Sequence, residues 1–200
     1  MMRLLIRMDM ATTYATFFYY SGSANAAPGY GTGETITPEQ IVLYRPLTLH
    51  YNWRKTLSNF YLARMVIDDL EWASVEHYYQ ASKFKQMNPE FYKKFSIPFG
   101  PTQYATDPIV AKAAGGKSGK KRGELLRPLT TTIDPGFFDG AFPRSNAEMY
   151  IAMFAKFSQN EDLKTILLLT RDAILTHGTR GVPTTVQHEL MRVRAELMSI

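Results

Sequence analysis

Hydrophobic residues recur every three or four positions through the last third of the chain, which is typical of amphipathic helices. Two apolar faces follow from this spacing: Met149, Met153, Phe154 and Phe157, and then Val186, Leu190, Val193 and Leu197. Capping boxes at 145–148 and 184–187 predict where these two helices begin, because each offers side chains to the open N–H groups of a first turn. A third helix is predicted over 161–169.

Before this helical part, short apolar segments alternate with turn residues, which predicts short strands and helices. The predicted strands lie at 17–20, at 65–70 with a turn at Asp68-Asp69, and at 173–177. The predicted helices lie at 74–87, 90–95 and 108–114, with an irregular segment at 52–60 and a turn at 177–181. These elements indicate an α+β fold: a single compact, predominantly helical domain with a small β-sheet. We expect the domain over 17–200, after an N-terminal tail or strand at 1–16.

Composition narrows the possible functions. The 200 residues and their 45% hydrophobic share suit one globular domain. No apolar run of about 18 residues is present, so we expect no membrane partner. The chain has 0 cysteines, which removes thiolate nucleophiles and zinc–sulfur sites and fits a cytoplasmic location. Since no pair of histidines has metal-binding spacing either, we expect neither a metal nor another cofactor.

The net charge of +5 suits anionic partners such as nucleotides. The densest positive charge lies in a glycine-rich segment at 111–122, where Lys112 and Lys117 could hold a phosphate group. A phosphate-binding P-loop is excluded, because the first glycine of that motif would fall on Ala111. Arg180, between two glycines, is a further candidate for anion contact. For both positions, a solvated loop without a ligand is the alternative.

The most informative stretch is a helix start with a carboxylate in its first turn. Ser74 is a good N-cap, and Glu76 would lie near the positive end of the helix dipole, which favours its ionised form. Gln80 and Lys83 follow at i+4 and i+7, on the same stripe of the helix. Because a fixed carboxylate can stabilise a developing positive charge, Glu76 is the candidate catalytic residue.

Aromatic residues surround this carboxylate in the sequence, at Trp72, Tyr78 and Tyr79, together with His77. Trp72 or Tyr79 could stack on a base or a ribose, and bulk beside an acid indicates a partly closed pocket. The alternatives are an acid that is simply solvated at the helix start, aromatic residues that belong to the core, and a hydrogen-bonded structural histidine.

Several motifs together resemble the signature of the NADAR (YbiA-like) superfamily. The matching segments are 18–21 with the glycine loop at 28–34, then 52–55, 57–60, 72–84, 107–117, 155–157, 167–170, 177–183 and 190–194. The resemblance covers about residues 17–197, and the Glu-His-Tyr block within 72–84 is its most specific part. It is closest to the branch found in large DNA viruses, phages and some eukaryotes.

The resemblance implies an N-glycosidase that acts on N-linked ribose phosphates, with Glu76 as the catalytic glutamate. One branch of the superfamily hydrolyses phosphorylated intermediates of the riboflavin pathway, and another removes ADP-ribose from modified guanine. The bacterial branch carries a Trp-Gly-Asp-Gly segment before its last helix, where this chain has 177–183 without tryptophan or aspartate. This difference favours an ADP-ribosylated guanosine or nucleic acid as the substrate.

The predicted substrate contacts are Arg54, Asn59, Trp72, His77, Tyr79, Gln80, Lys83, Lys112, Lys117 and Arg180. Three alternatives stay open. The first is an N-glycosidase on phosphorylated riboflavin-pathway intermediates, and the second is an ADP-ribose- or nucleotide-binding module without catalysis. The third is a general nucleic-acid binder, which a net charge of +5 without a long basic stripe supports least.

Overall fold

A computed structural model of the protein describes residues 14–99, 103–179 and 182–200. Most of the predicted N-terminal tail or strand (1–13) and the predicted anion contact Arg180 lie outside the described residues. The helices are α1 (Pro38–Tyr44), α2 (Trp53–Leu57), α3 (Val75–Ser82), α4 (Pro89–Lys93), α5 (Gln103–Thr106), α6 (Pro108–Gly115), α7 (Arg144–Ser158), α8 (Glu161–Leu169) and α9 (His188–Ser199). None of these helices has both the length and the apolar character that crossing a membrane requires.

The described strands form one three-stranded sheet and two hairpins. They are β1 (Thr16–Tyr19), β2 (Met65–Ile67), β3 (Leu70–Trp72), β4 (Lys120–Lys121), β5 (Glu124–Leu125), β6 (Ile174–Thr179) and β7 (Val182–Val186). In the larger sheet β6 is central, parallel to β1 and antiparallel to β7. Strand β1 starts at Thr16 and the preceding Ala15 is buried, so the sheet begins just before the expected boundary at residue 17. The α+β class with a predominance of helices is confirmed.

The β2–β3 hairpin leads the chain into the central helix. Asp68 and Asp69 have positive φ angles of 55° and 58°, as the two central residues of a type I′ turn require. The predicted Asp-Asp turn is therefore confirmed. Met65 pairs with Trp72 at the open end of the hairpin, two residues before the N-cap of α3 at Ser74. The hairpin thus fixes where α3 begins.

Helix α3 lies in the middle of the domain. It packs against α6 and α7, and α7 in turn contacts α8 and α9. Seven of its eight residues are buried, and the eighth, Tyr79, is partly exposed. Because little water can reach a helix in this position, each polar side chain of α3 needs a partner within the protein.

The capping box predicted at 145–148 is wrong, because a tertiary contact uses one of its residues. Helix α7 begins at Arg144, and its N-cap is Pro143. Glu148, the expected partner of Ser145, is buried and accepts a hydrogen bond from the hydroxyl of Tyr78 instead. Pairing a buried carboxylate with a buried hydroxyl outweighs the modest gain from a helix cap.

The capping box predicted at 184–187 is wrong for a different reason. Its first three residues form part of β7, where Thr185 pairs with His177 of β6, so α9 begins at His188. Val186 therefore lies on a strand, 42% exposed, and not on the apolar face of α9. The other three members of that predicted face are buried.

Other predicted elements differ less. The segment 52–60, expected to be irregular, contains α2, and α3 ends at Ser82 instead of continuing to residue 87. Helix α8 has the predicted bounds, and α6 ends one residue later than expected. These differences leave the order of helices and strands around α3 as predicted.

Lys156 of α7 is fully buried, at 0% exposure. Its Nζ donates to Thr56 O at 2.5 Å and to Ser58 O at 2.8 Å, at the C-terminal end of α2. Within the described residues it has no carboxylate partner, and burial lowers the pKa of Lys156 to about 7. A neutral amine has two N–H donors, which matches the two carbonyls, so this lysine joins α7 to α2 without needing its charge.

The Lys156→Met substitution is expected to remove a pH-dependent part of the stability. Between about pH 7 and 10.5 the unfolded chain binds a proton that the folded chain does not, so this group makes the free energy of unfolding rise with pH. Below pH 7 both states are protonated and its contribution is constant. Urea unfolding across this window should show the wild type gaining about 5 kcal/mol relative to the variant.

The Lys164→Met substitution, at a partly buried lysine of α8, serves as the control for this comparison. It should leave the pH dependence of the wild type unchanged. An equal pH dependence in the wild type and in Lys156→Met would contradict the depressed pKa of Lys156.

Candidate active site

Glu76 occupies the first turn of α3 and is 6% exposed. The side chain of Ser74 caps the helix by accepting from the N–H of His77, as predicted. The N–H of Glu76 itself donates to Asn59 O at 3.0 Å. Asn59 therefore contributes its backbone to the position of Glu76, while its side-chain amide contacts the sulfur of Met149 at 3.4 Å.

The predicted stripe of α3 forms a continuous hydrogen-bonded chain. Gln80 Nε2 donates to Glu76 Oε1 at 2.8 Å, and Lys83 Nζ donates to Gln80 Oε1 at 2.6 Å. Lys83 Nζ also donates to Gly115 O at 3.0 Å, at the end of α6. Since a carboxylate only accepts and an ammonium only donates, the two ends of this chain fix the orientation of the Gln80 amide.

Gly115 permits the close contact between α3 and α6. A Cβ added at this position would overlap Gln80 Oε1 and lie 2.7 Å from Gln80 Cβ. Helix α6 itself begins at an N-cap, Asp107, whose side chain accepts from the N–H of Ile109 at 2.8 Å. The absence of a side chain at Gly115 therefore makes room for Gln80, the residue that accepts from Lys83.

Burial has the largest effect on the pKa values of Glu76 and Lys83, the two ionisable groups of this hydrogen-bonded series. It raises the pKa of Glu76, although the Gln80 hydrogen bond and the charges of Lys112 and Lys83 act in the opposite direction. We expected the helix dipole to favour the ionised form of Glu76. This expectation is wrong, because the pKa of Glu76 is raised overall. Burial also lowers the pKa of Lys83 to about 8, and the charge of Glu76 opposes this shift.

Lys112 is the second cation beside Glu76. It is exposed on α6, and its Nζ lies 5.3 Å from the centroid of the Phe60 ring. Burial is the main cause of the lowered pKa of His177, and the charge of Lys112 is the second cause. His177 of β6 therefore lies near Lys112. Lys117 is exposed and lines a cavity of about 350 Å³ together with Arg127. Of the two lysines predicted to hold a phosphate, Lys112 is the one whose charge acts on Glu76.

Arg54 holds the predicted glycine loop. It is 2% exposed, and its Nε and Nη2 bind the two carboxylate oxygens of Glu34 at 2.6 and 2.8 Å. The same carboxylate accepts from the N–H groups of Gly29 and Gly31. Further guanidinium contacts go to the carbonyls of Ala26 and Ala27. This placement assigns Arg54 to the construction of the loop, and not to the predicted contact with the substrate.

Trp72 and His77 are both fully buried. Trp72 is 0% exposed, its indole N–H donates to Ile67 O at 3.0 Å, and its ring packs against Tyr78. The predicted stacking of Trp72 on a ligand is therefore wrong. His77 is buried with its Nδ1 2.8 Å from Ser74 Oγ, and burial lowers its pKa to about 4. The Ser74 contact agrees with the alternative of a hydrogen-bonded structural histidine at Nδ1, while Nε2 of His77 is buried and has no hydrogen-bond partner within the described residues.

Two aromatic residues remain at the site. Tyr79 is partly exposed. Burial is the main cause of its raised pKa, and the negative charge of Glu76 is the second cause. Phe138, which the sequence analysis did not single out, is 51% exposed, and Lys83 Nζ lies 5.4 Å from its ring centroid. The one signal for it in the sequence is a pair of phenylalanines, Phe137 and Phe138, in a segment rich in proline and glycine.

The described residues contain no group of three or more histidine, aspartate or glutamate side chains that could hold a metal ion. The chemistry available at the site is that of a buried carboxylate, an amide, two cations and exposed aromatic rings. Such a set can stabilise positive charge at the carboxylate and bind an anion at the lysines.

One solved structure is similar to this fold, the NMR structure of the E. coli protein YbiA. The TM-score is 0.52 and the sequence identity is 22%, over 73% of this chain and 79% of that chain. No protein-family model matches the chain, and no curated protein matches it. The structural similarity agrees with the predicted fold class, and the chain has a YbiA-like α+β fold.

Proposed function

We propose that this protein is an N-glycosidase that hydrolyses the bond between a ribose phosphate group and a base, with ADP-ribosylated guanine as its substrate. The observation that carries the proposal is the buried carboxylate of Glu76, hydrogen-bonded to Gln80 and flanked by the charges of Lys83 and Lys112. This set supplies a carboxylate that can stabilise positive charge and accept a proton from water, and cations that can bind a phosphate.

Glu76 would act on the reacting sugar. Breaking an N-glycosidic bond to ribose leaves positive charge on the anomeric carbon, in an oxocarbenium-like state. An ionised Glu76, held in place by Gln80, stabilises that charge without reorganising. Water adds its oxygen to the anomeric carbon as the C–N bond breaks, and Glu76 accepts the proton that this water loses; its raised pKa makes it a stronger base than an ordinary glutamate. The nitrogen of the leaving base keeps the electron pair of the broken bond and takes up a proton from solvent.

Lys112 would bind the phosphate or diphosphate of the substrate. Its ammonium group is exposed, whereas Lys83 is buried and already donates two hydrogen bonds. A flexible, exposed lysine suits an anion that enters from solvent. Arg180 is proposed as a second anion contact on the strength of its position in the sequence between two glycines.

The choice of substrate rests on the sequence motifs. The Glu-His-Tyr block and the YbiA-like fold both support an N-glycosidase. The segment 177–183 lacks the tryptophan and aspartate of the Trp-Gly-Asp-Gly motif, which supports ADP-ribosylated guanosine or nucleic acid over a riboflavin-pathway intermediate. We propose a cytoplasmic location on the basis of the missing cysteines.

The Glu76→Gln substitution should abolish hydrolysis of ADP-ribosylated guanosine. Glutamine keeps the size of the side chain but supplies neither the negative charge nor the base, so we expect a rate loss on the order of a thousandfold. The release of guanosine is measured by chromatography. Thermal unfolding of the variant shows that it is folded.

The matched control is Glu90→Gln, because Glu90 also lies in the first turn of a helix but its side chain is 80% exposed. This variant should keep the wild-type rate. Wild-type turnover in Glu76→Gln would refute the catalytic assignment. Release of base from phosphoribosylated pyrimidines instead would favour the riboflavin-pathway alternative, and ADP-ribose binding without any turnover would favour a non-catalytic reader.

The pH profile of kcat/KM should have two limbs. The rate should fall as the pH drops through the pKa of Glu76, at a pH above the ordinary glutamate value of 4.5, because protonation removes the carboxylate. It should also fall as the pH rises through about 8, because a neutral Lys83 makes a weaker hydrogen bond to Gln80, and Gln80 holds the Glu76 carboxylate in place.

The Lys83→Met substitution tests both limbs. It should remove the limb near pH 8 and move the acid limb to higher pH, since the remaining carboxylate has lost a stabilising cation. Lys93→Met, at an exposed lysine paired with Glu90, is the control and should leave the profile unchanged. A profile in Lys83→Met that coincides with the wild type would contradict the role given to Lys83.

A further inference from the structure

An exposed aromatic ring stands beside the buried end of the hydrogen-bonded chain on α3. Lys83 Nζ lies 5.4 Å from the ring centroids of both Tyr79 and Phe138. Tyr79 is partly exposed and Phe138 is 51% exposed, so both rings keep surface that a ligand can cover. One cation between two accessible rings is an arrangement that attracts a planar, electron-rich molecule.

Phe138 is held in this position by a loop that is tied to the end of α3. The N–H of Asp134 donates to Lys83 O at 2.7 Å, and the Asp134 carboxylate accepts from the N–H groups of Gln86 and Met87, each at 2.9 Å. Arg144 Nη2 contacts the same carboxylate at 2.6 Å. The loop is therefore anchored before and after the exposed ring.

The neighbouring phenylalanine fixes the orientation of the pair. Phe137 is 0% exposed and packs edge-on against Phe138, with ring centroids 4.8 Å apart. It also contacts Tyr79, with centroids 5.8 Å apart. Because the supporting ring is buried and the loop is anchored, Phe138 is in place before a ligand arrives, which lowers the cost of ordering it on binding.

The distance to Glu76 suits a base that is attached to the reacting ribose. The backbone of Lys83 lies roughly 10 Å beyond that of Glu76 along the helix axis. Its Nζ, next to the two rings, returns to Gln80, whose amide binds the Glu76 carboxylate, so the rings are closer to that carboxylate than the backbone rise. Stacking of a base on an aromatic side chain needs no specific hydrogen bond, because every base presents a flat π face. A purine at this distance would shield the buried chain from water as well as gain contact area.

We propose that Phe138 and Tyr79, with Lys83 between them, form a subsite for a purine ring of the ligand. The identity of the ligand rests on the proposed N-glycosidase function. The purine can come from either end of that substrate, as the adenine of the ADP-ribose group or as the guanine that leaves. The subsite gives affinity, while the bond is broken at Glu76.

The test compares two phenylalanines of the same loop. Phe142 is 96% exposed and makes no ring or cation contact within the described residues, so Phe142→Ala is the matched control for Phe138→Ala. Calorimetry should show that Phe138→Ala binds either ADP-ribose or guanosine, whichever supplies the purine, about tenfold more weakly than the wild type. Affinity for ribose 5-phosphate, which has no base, should not change, and Phe142→Ala should match the wild type for all three probes.

Tryptophan substitutions supply a direct signature of stacking. The two native tryptophans, Trp53 and Trp72, are 1% and 0% exposed, so a ligand cannot contact either ring. The fluorescence of Phe138→Trp should be quenched in a saturable way by ADP-ribose or by guanosine, but not by ribose 5-phosphate. The probe that quenches identifies which end of the substrate supplies the purine. Phe142→Trp should not respond.

Equal affinities of Phe138→Ala and the wild type for ADP-ribose and guanosine would overturn the subsite, as would equal quenching in Phe138→Trp and Phe142→Trp. If the wild type also hydrolyses ADP-ribosylated guanosine, the subsite alone fails. If purine binding depends on Phe138 but no substrate is hydrolysed, the subsite stands and the proposed function fails. A wild type that binds neither purine probe and hydrolyses no ADP-ribosylated guanosine overturns both.

Discussion

Lys83 donates hydrogen bonds to Gln80 and to the carbonyl of Gly115, and the burial of Glu76 depends on both. A carboxylate removed from water loses several kcal/mol of hydration unless other groups replace it. Gln80 replaces part of that hydration through its amide nitrogen, and it presents this nitrogen because Lys83 occupies its amide oxygen. The contact at Gly115 completes the chain by joining α3 to α6. The packing of these two helices and the position of the carboxylate are therefore set by the same hydrogen bonds.

Two opposing effects act on Glu76, and their magnitudes decide its pKa. A helix dipole stabilises an acid in the first turn by about 0.3–1 kcal/mol at an exposed position and by up to about 2 kcal/mol in partly buried ones. The effective cost of burying an ion is several kcal/mol, and at 6% exposure most of this cost applies. The pKa therefore rises in spite of the dipole, Gln80 and two lysines. The same balance explains Lys83 and Lys156, whose pKa values burial lowers.

Features that depend on neighbours in the sequence could be predicted, and features that depend on distant partners could not. The Ser74 cap, the Asp68-Asp69 turn and the Glu76–Gln80–Lys83 stripe each arise within a few residues, so spacing alone indicates them. The capping box at 145–148 fails because Glu148 meets Tyr78, which lies 70 residues away in the sequence. Stacking residues were the least predictable part of the site, since only the fold separates a buried tryptophan from an exposed phenylalanine.

The loop between Asp134 and Arg144 explains why an exposed aromatic ring accompanies helix α3. A helix leaves its last carbonyls without partners, and at the end of α3 this loop supplies them: Arg144 donates to Ser82 O at 2.8 Å, and the N–H of Asp134 donates to Lys83 O. The backbone contacts that complete the helix thus also place Phe138 beside Lys83. The carboxylate lies on α3 and the ring is held against the end of the same helix by this loop, so a ligand that touches both meets a surface already in place.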